Sequence, residues 1–275
     1  MNKFKGMPRP NVINLNEAPD RKEYTINCFA DYGISDINFI MFDRWDDKNP
    51  SVTFVGDQIK IKDIAKGTTS SHLLAIKQWL ETTDDEFGVF FEDDVDFTTV
   101  QHWNFTFEEF LKRMGTKWGA LHLCGVWDDP WSRWCKDPIM VPRWREYYDH
   151  GLQCYVVTRK YARKLVKFYF EDDDVIHWRM PNPYIKGMPP WFSAENNVLM
   201  HPLGFDRVWH FPLFNHNIFD FKSMNIYQYQ RQDEACVRSY DLIKNFWEDV
   251  GSKLTLEEIF DYSRMEDKKY GEIVL

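Results

Sequence analysis

Cysteine is scarce in this chain and follows no ligand spacing. The five thiols, Cys28, Cys124, Cys135, Cys154 and Cys236, are odd in number and include no CxxC pair. That pattern argues against a zinc cluster and against a disulfide framework, and it favours a reducing compartment. Long apolar runs are missing too, since no stretch approaches the ~18 apolar residues of a membrane-spanning helix. The basic segment from Met1 to Pro10 is not followed by an apolar run, so it does not read as a signal peptide. A cytoplasmic location without a transmembrane segment is the resulting expectation. Positive charge is also in deficit. With 34 Lys and Arg against 43 Asp and Glu, the net charge is −9, which is not the basic footprint of a duplex-binding protein. A local basic stretch from Arg143 and Arg145 through Arg159, Lys160, Arg163, Lys164 and Lys167 is the exception. A solvated helix face explains the last five equally well. No internal repeat or low-complexity tract interrupts the chain.

Aromatic residues, in contrast, are plentiful. They make up 17% of the chain and include 12 Trp, too many for every ring to be assigned to one core. Some are expected to line a groove, where stacking on sugar rings or bases is one use; packing within core and loops is the other.

The first half alternates strand and helix signals. Val12-Ile13-Asn14-Leu15 reads as a buried strand, and a helix follows from Pro19 to a stop at Gly33. Ile37 to Phe42 is the next strand. Ser70 or Ser71 is expected to cap a helix whose apolar face is Leu73, Ile76 and Leu80. Val89-Phe90-Phe91 is a strand, Thr106 to Met114 a helix and Ala120 to Cys124 a strand. Gln153 to Val157 reads as a further strand and Arg159 to Tyr169 as a helix. Gly125 to His150 and Met180 to Pro190 read as irregular loops. Asp233 to Trp247 and a final helix capped by Thr255 and Glu258 are expected to be structural. This order predicts an α/β fold with a parallel or mixed sheet flanked by helices, in which ligands bind beyond the carboxyl ends of the strands.

The segment Glu92-Asp93-Asp94-Val95-Asp96 follows one of these strands directly. Four carboxylates in five positions repel one another, and their pKa values rise unless a cation offsets the charge. A hard divalent ion, Mn²⁺ or Mg²⁺, is the natural counter-charge and would bind a diphosphate in turn. Asp94-Val95-Asp96 is a DxD arrangement, and alternation along an extended segment would point both aspartates the same way. A solvated acidic loop remains the alternative, as it is for Asp172-Asp173-Asp174. A second alternative is a haloacid-dehalogenase-type phosphatase with Asp94 as nucleophile and Asp96 beside it, though no later Gly-Asp-x-x-x-Asp pair completes its Mg²⁺ site. A third is a non-catalytic carbohydrate-binding module presenting Trp127, Trp131, Trp134 and Trp144 as stacking platforms.

Several segments in order resemble glycosyltransferase family 25, the group with lipooligosaccharide and procollagen galactosyltransferases. They are Val12-Ile13-Asn14-Leu15 with Pro19-Asp20-Arg21, Gly67 with Ser71-His72, Phe91-Glu92-Asp93-Asp94-Val95, Trp118 to Gly125, and Gly151 to Leu165. The resemblance spans about residues 11 to 216 and implies a GT-A-like (Rossmann-like) domain over 1–216. Residues 217–275 then form a C-terminal helical extension packed on that domain. It also implies a nucleotide-sugar donor, usually a UDP-sugar, together with Mn²⁺ and inversion at the anomeric carbon.

On this resemblance Asp94 and Asp96 are metal ligands, and Glu92 and Asp93 lie close by, Glu92 holding either the metal or a donor sugar hydroxyl. Asn14 and Arg21 help form the nucleotide pocket, and Ser71 and His72 lie near the donor. An inverting transfer needs a base for the acceptor hydroxyl. Glu195 is the candidate, standing where the family has Asp. His216 is a candidate late metal ligand or phosphate contact, with His201 and His210 competing. The acceptor presents a hydroxyl, for which a glycan, a hydroxylysine and a hydroxymethylated base all qualify.

Overall fold

Strand β1 (Pro10–Leu15) is buried along nearly its whole length, the pattern of a strand covered on both faces. α1 (Pro19–Ala30) carries proline in its first turn, where the missing N–H costs no hydrogen bond. β2 (Asn38–Phe42) then returns parallel to β1. There follow β3 (Thr53–Gly56), α2 (Asp63–Thr82), β4 (Phe87–Glu92), β5 (Val95–Asp96), α3 (Phe107–Met114), β6 (Ala120–His122) and β7 (Val126–Trp127). Next come β8 (Val141–Pro142), β9 (Asp149–His150), β10 (Cys154–Thr158), α4 (Arg159–Tyr169), β11 (Phe170–Asp172) and β12 (Val175–Trp178). The last elements are β13 (Val208–His210), β14 (Asn215–His216) and α5 (Asp233–Asp249). The computed structural model describes residues 1–46, 48, 52–56, 63–115, 117–124, 126–127, 141–142, 149–150, 152–172, 175–178, 208–216 and 233–260.

Seven strands form the main sheet in the order β2-β1-β4-β10-β6-β13-β8. β1 pairs in parallel with β2 and β4, and β6 with β13. β10 and β8 run antiparallel to their neighbours. The fold is thus mixed α/β, with parallel pairing dominant through β1, β2 and β4 and helices on both faces. One face buries Phe29 of α1, Phe107 and Phe110 of α3, and Ile243, Phe246 and Trp247 of α5. The other buries Leu73, Ala75, Ile76 and Trp79 of α2 with Tyr161, Ala162, Leu165 and Tyr169 of α4. α5 and the helical turn at 256–260 therefore share a core with the first half of the chain. The Thr255 capping box forms as expected: Glu258 Oε2 accepts from Thr255 N at 2.7 Å, and Glu258 N donates back to Thr255 Oγ1 at 3.3 Å.

Two expectations are corrected. α2 begins at Asp63, so Ser70 and Ser71 cap nothing; they lie inside the helix and donate to the carbonyls of Gly67 and Thr68. Asp94 and Asp96 do not share one extended segment: Asp94 lies with Asp93 in the turn after β4, and Asp96 lies in the two-residue β5, so strand alternation is not what relates the two aspartates.

Gly88 shows how closely α2 rests on β4. A Cβ there would meet Phe90 Cε2 at 2.8 Å and the Trp79 ring at 2.9 Å. Both rings are fully or nearly fully buried and have no room to withdraw. Gly88→Ala is expected to destabilise the protein by about 1–3 kcal/mol, the usual cost of overpacking, measured as the midpoint shift in urea unfolding at unchanged slope.

Candidate active site

The order β2-β1-β4 contains a topological switch point. From β1 the chain goes to β2 on one side, with α1 on one face of the sheet; it returns through α2 on the other face to β4, on β1's other side. Such a reversal opens a crevice at the carboxyl ends of the two central strands. Asn14 lies near the end of β1, and the acidic segment begins with Glu92, the last residue of β4.

α1 reaches this crevice with one helical stripe, Arg21, Tyr24, Thr25 and Cys28, at the i, i+3, i+4, i+7 spacing of a single face. Arg21 Nη2 lies 2.5 Å from Asp93 Oδ1 and 3.2 Å from Asp94 Oδ2. Thr25 Oγ1 donates to the Asp93 carbonyl at 3.0 Å. Asn14 Nδ2 donates to Asp93 Oδ2 and, at 3.3 Å, to the Ala18 carbonyl. The turn is thus tied to β1 and α1 by three side chains.

Two buried oxygens in this setting have no hydrogen-bond partner among the described residues: Asn14 Oδ1 and Asp94 Oδ1. An unpartnered buried acceptor costs about 1–3 kcal/mol, which a ligand or cation would offset.

The four carboxylates all titrate above their ordinary range, and burial is the first cause in each. Glu92 is pushed up to about 7, the Asp93 charge adding to burial and Arg21 opposing it. Asp93 rises to about 6; Arg21 and the Asn14 hydrogen bond oppose the rise while Asp94 adds to it. Asp94 also rises to about 6, with Arg21 opposing and Glu92 adding. Asp96 rises less, because Thr98 donates to it from both N and Oγ1 and the Lys244 ammonium acts on it. Among the described residues, Arg21 acts on Glu92, Asp93 and Asp94, and Lys244 on Asp96; an added cation would lower all four.

A second approach to this turn has no local signal in the sequence. β14 pairs antiparallel with β5, setting Asn215 opposite Asp96 and His216 opposite Val95. Directly opposed residues share a face of the ladder, so Asn215, not His216, stands on the side of Asp96. The His216 ring packs edge-on to Tyr240 of α5 at 6.2 Å. Tyr240 hydrogen-bonds Thr98, and Asn215 Nδ2 donates to the Tyr240 carbonyl at 2.9 Å. α5, read from sequence as purely structural, thereby brings Tyr240 and Lys244 to the DxD segment. Its tyrosine and lysine carry no motif and lie more than 140 residues downstream, so no local signal marks them.

The structure therefore brings together Asn14, Arg21, His72, Glu92, Asp93, Asp94 and Asp96, with His216 on the adjoining strand. The Ser71 hydroxyl is spent on its own helix. Glu195, His201, Trp131, Trp134 and Trp144 lie outside the described residues, as does the side chain of Trp127. His210 instead pairs with His122, Nδ1 to Nδ1 at 3.0 Å, on the neighbouring strand. Among the described residues no three His, Cys, Asp or Glu side chains form a ready metal cage. Cys28, Cys124 and Cys154 are free thiols. No helix of the described residues is long and apolar enough to cross a membrane.

No protein-family model and no curated protein matches the chain. Solved structures give weak similarities. The protein A197 from STIV aligns at TM-score 0.39 and 11% identity over 78% of this chain and 87% of that one. The inositol-1-phosphate CTP transferase from T. maritima aligns at TM-score 0.31 and 12% identity, covering 87% of this chain and 80% of that one. An active-site mutant of LgtC aligns at TM-score 0.30 and 12% identity, covering 89% and 100%.

Proposed function

We propose that the chain is a metal-dependent glycosyltransferase that moves a sugar from a nucleotide-sugar donor, a UDP-sugar on the motif resemblance, to an acceptor hydroxyl. The observation that carries this reading is the pair of unpartnered buried acceptors, Asn14 Oδ1 and Asp94 Oδ1, beside the Arg21 ion pairs at the switch point. A nucleotide supplies what they want: N–H or hydroxyl donors for Asn14, and a diphosphate-bound cation for Asp94.

The donor set fits Mn²⁺ or Mg²⁺. Such ions are commonly held by one or two carboxylates together with substrate phosphates and water, so a protein cage of three ligands is not required. Asp94 and Asp96 are the residues that would hold the ion, which supplies Lewis-acid stabilisation of the leaving diphosphate. Arg21 fixes Asp93 and Asp94 and stands ready to face a phosphate, while Lys244 adds positive charge on the Asp96 side. His216, placed by register away from the Asp96 face, is assigned to a phosphate rather than to the metal. Proton removal from the acceptor hydroxyl is assigned to Glu195, by motif position. The phosphatase alternative wants its nucleophile directly at the strand end; Glu92 holds that place, and Asp94 lies in the turn beyond it.

Thermal unfolding with UDP and Mn²⁺ tests the reading. At about 100 times Kd a ligand adds about 2.7 kcal/mol to stability, which for a chain of this size raises Tm by roughly 5 °C. The rise should need both components. No shift with any nucleotide or nucleotide sugar, with or without Mn²⁺, would sink the proposal.

A further inference from the structure

On the sheet face covered by α2 and α4, three side chains form a hydrogen-bonded chain running out of the core and ending in the crevice. Tyr155 Oη on β10 lies 2.9 Å from His72 Nδ1 on α2, and His72 Nε2 lies 3.0 Å from Glu92 Oε1 at the end of β4. Tyr155 is 0% exposed and His72 1%, while the Glu92 side chain is 20% exposed. Phe90 stacks on the Tyr155 ring at 5.2 Å and 12°, fixing the phenol's place. Two hydrogen bonds across three separate elements therefore end on a single carboxylate oxygen.

With Glu92 ionised, its Oε1 accepts from His72 Nε2–H, and Nδ1 of the neutral imidazole is then the acceptor for the Tyr155 hydroxyl. Glu92 differs from its two neighbours in the turn: Arg21 bridges Asp93 and Asp94, whereas among the described residues the side chain bonded to Glu92 is His72. Its second oxygen, Oε2, makes no hydrogen bond with a described residue, and the side chain is more open than those of Asp93 and Asp94, which are 7% and 6% exposed. Oε2 is thus a hydrogen-bond acceptor open to a ligand donor such as a hydroxyl.

We propose that His72 and Tyr155 are positioning residues that hold Glu92 with Oε2 presented to a hydroxyl of the sugar carried by the donor nucleotide. His72 then acts through Glu92 and does not touch the donor itself. Glu92 separates a nucleotide sugar from the bare nucleotide, a task distinct from holding the cation. This inference rests on the nucleotide-sugar reading above.

The test compares binding of UDP with binding of UDP-glucose and UDP-galactose, each with Mn²⁺, by calorimetric titration. The wild-type protein should bind at least one UDP-sugar more tightly than UDP. Glu92→Gln and His72→Phe should reduce that ratio about tenfold, the size of one hydrogen bond to a charged group, and change UDP affinity less than twofold. His72→Gln, whose amide still donates toward Glu92, should keep most of the preference. Tyr155→Phe should lower it in the same direction by a smaller factor. The two milder variants keep the test alive if His72→Phe does not fold, because a purely structural role would not move the sugar-specific ratio. An unchanged ratio in Glu92→Gln, or equal wild-type affinity for UDP and both UDP-sugars, overturns the inference while leaving the nucleotide site in place. Absence of UDP binding by the wild-type protein overturns the broader reading, and this one with it.

Discussion

Asp94→Asn is expected to cut Mn²⁺-dependent turnover of a nucleotide sugar at least a hundredfold while leaving the protein folded. Charge stabilisation by a bound cation contributes several kcal/mol to such a step, and each ~1.4 kcal/mol is a factor of ten in rate. Losing about 3 kcal/mol of it gives the stated drop. The stability effect has the opposite sign. Burial raises the Asp94 pKa from 3.8 to about 6, so the folded protein disfavours the ionised form relative to the unfolded chain. At neutral pH the ionised carboxylate therefore costs stability, and a neutral amide of the same shape removes that cost. Arg21 keeps its 2.5 Å contact to Asp93 and is not stranded. Metal-free Asp94→Asn should thus melt at or above the wild-type temperature, and its Tm should no longer respond to Mn²⁺ with UDP. Activity and stability moving in opposite directions separates loss of the ion site from loss of the fold. Equal turnover by the two proteins would remove Asp94 from the site.

The parts of this site that were legible in the sequence are those whose chemistry is local. An apolar strand ending in consecutive acids marks a strand terminus facing polar surroundings, and Asn14 and Arg21 sit on the strand and helix immediately before the reversal. Residues whose role comes from pairing between distant elements were not legible. Tyr155 lies in a run of apolar residues, and nothing adjacent shows that its hydroxyl ends on His72. Tyr240 bonds Thr98 and Lys244 acts on Asp96 from a helix more than 130 residues further along the chain. Ser70 and Ser71 were misread for a different reason. The first turns of α2 at Asp63–Lys66 show little apolar periodicity, so the serines took the appearance of a start signal that the helix had already passed. The stripe Arg21, Tyr24, Thr25 and Cys28 could have been found: four polar or sulfur-bearing side chains at one helical spacing argue that α1 turns a functional face toward the crevice.

Trp247→Ala carries the largest expected loss of stability, and it bears on how the C-terminal helix reaches the site. The indole is fully buried, and its Nε1 donates to the Pro212 carbonyl at 2.9 Å. Its ring meets Phe246 at 5.4 Å, Phe105 at 6.0 Å, Trp103 at 6.3 Å and Phe211 at 6.5 Å. It also lies so near the backbone that a Cβ on Gly251 would come within 2.5 Å of it. Truncation to alanine opens a cavity among side chains that are themselves ring-locked and collapse poorly. It also orphans the Pro212 carbonyl. The expected cost is about 3–5 kcal/mol, a large share of the ~5–15 kcal/mol that holds a typical domain together. Tm should fall by roughly 6–9 °C. Trp247→Phe keeps most of the ring and should lose less than half as much. Because the same helix presents Tyr240 and Lys244 to the Asp96 segment, Trp247→Ala should also weaken UDP binding with Mn²⁺ at temperatures well below its melting point, although Trp247 makes no contact with the carboxylates. Unaltered UDP affinity in a folded Trp247→Ala protein would show that α5 covers the core without contributing to the site. Weakened affinity would tie the C-terminal helix to the ligand through one tryptophan.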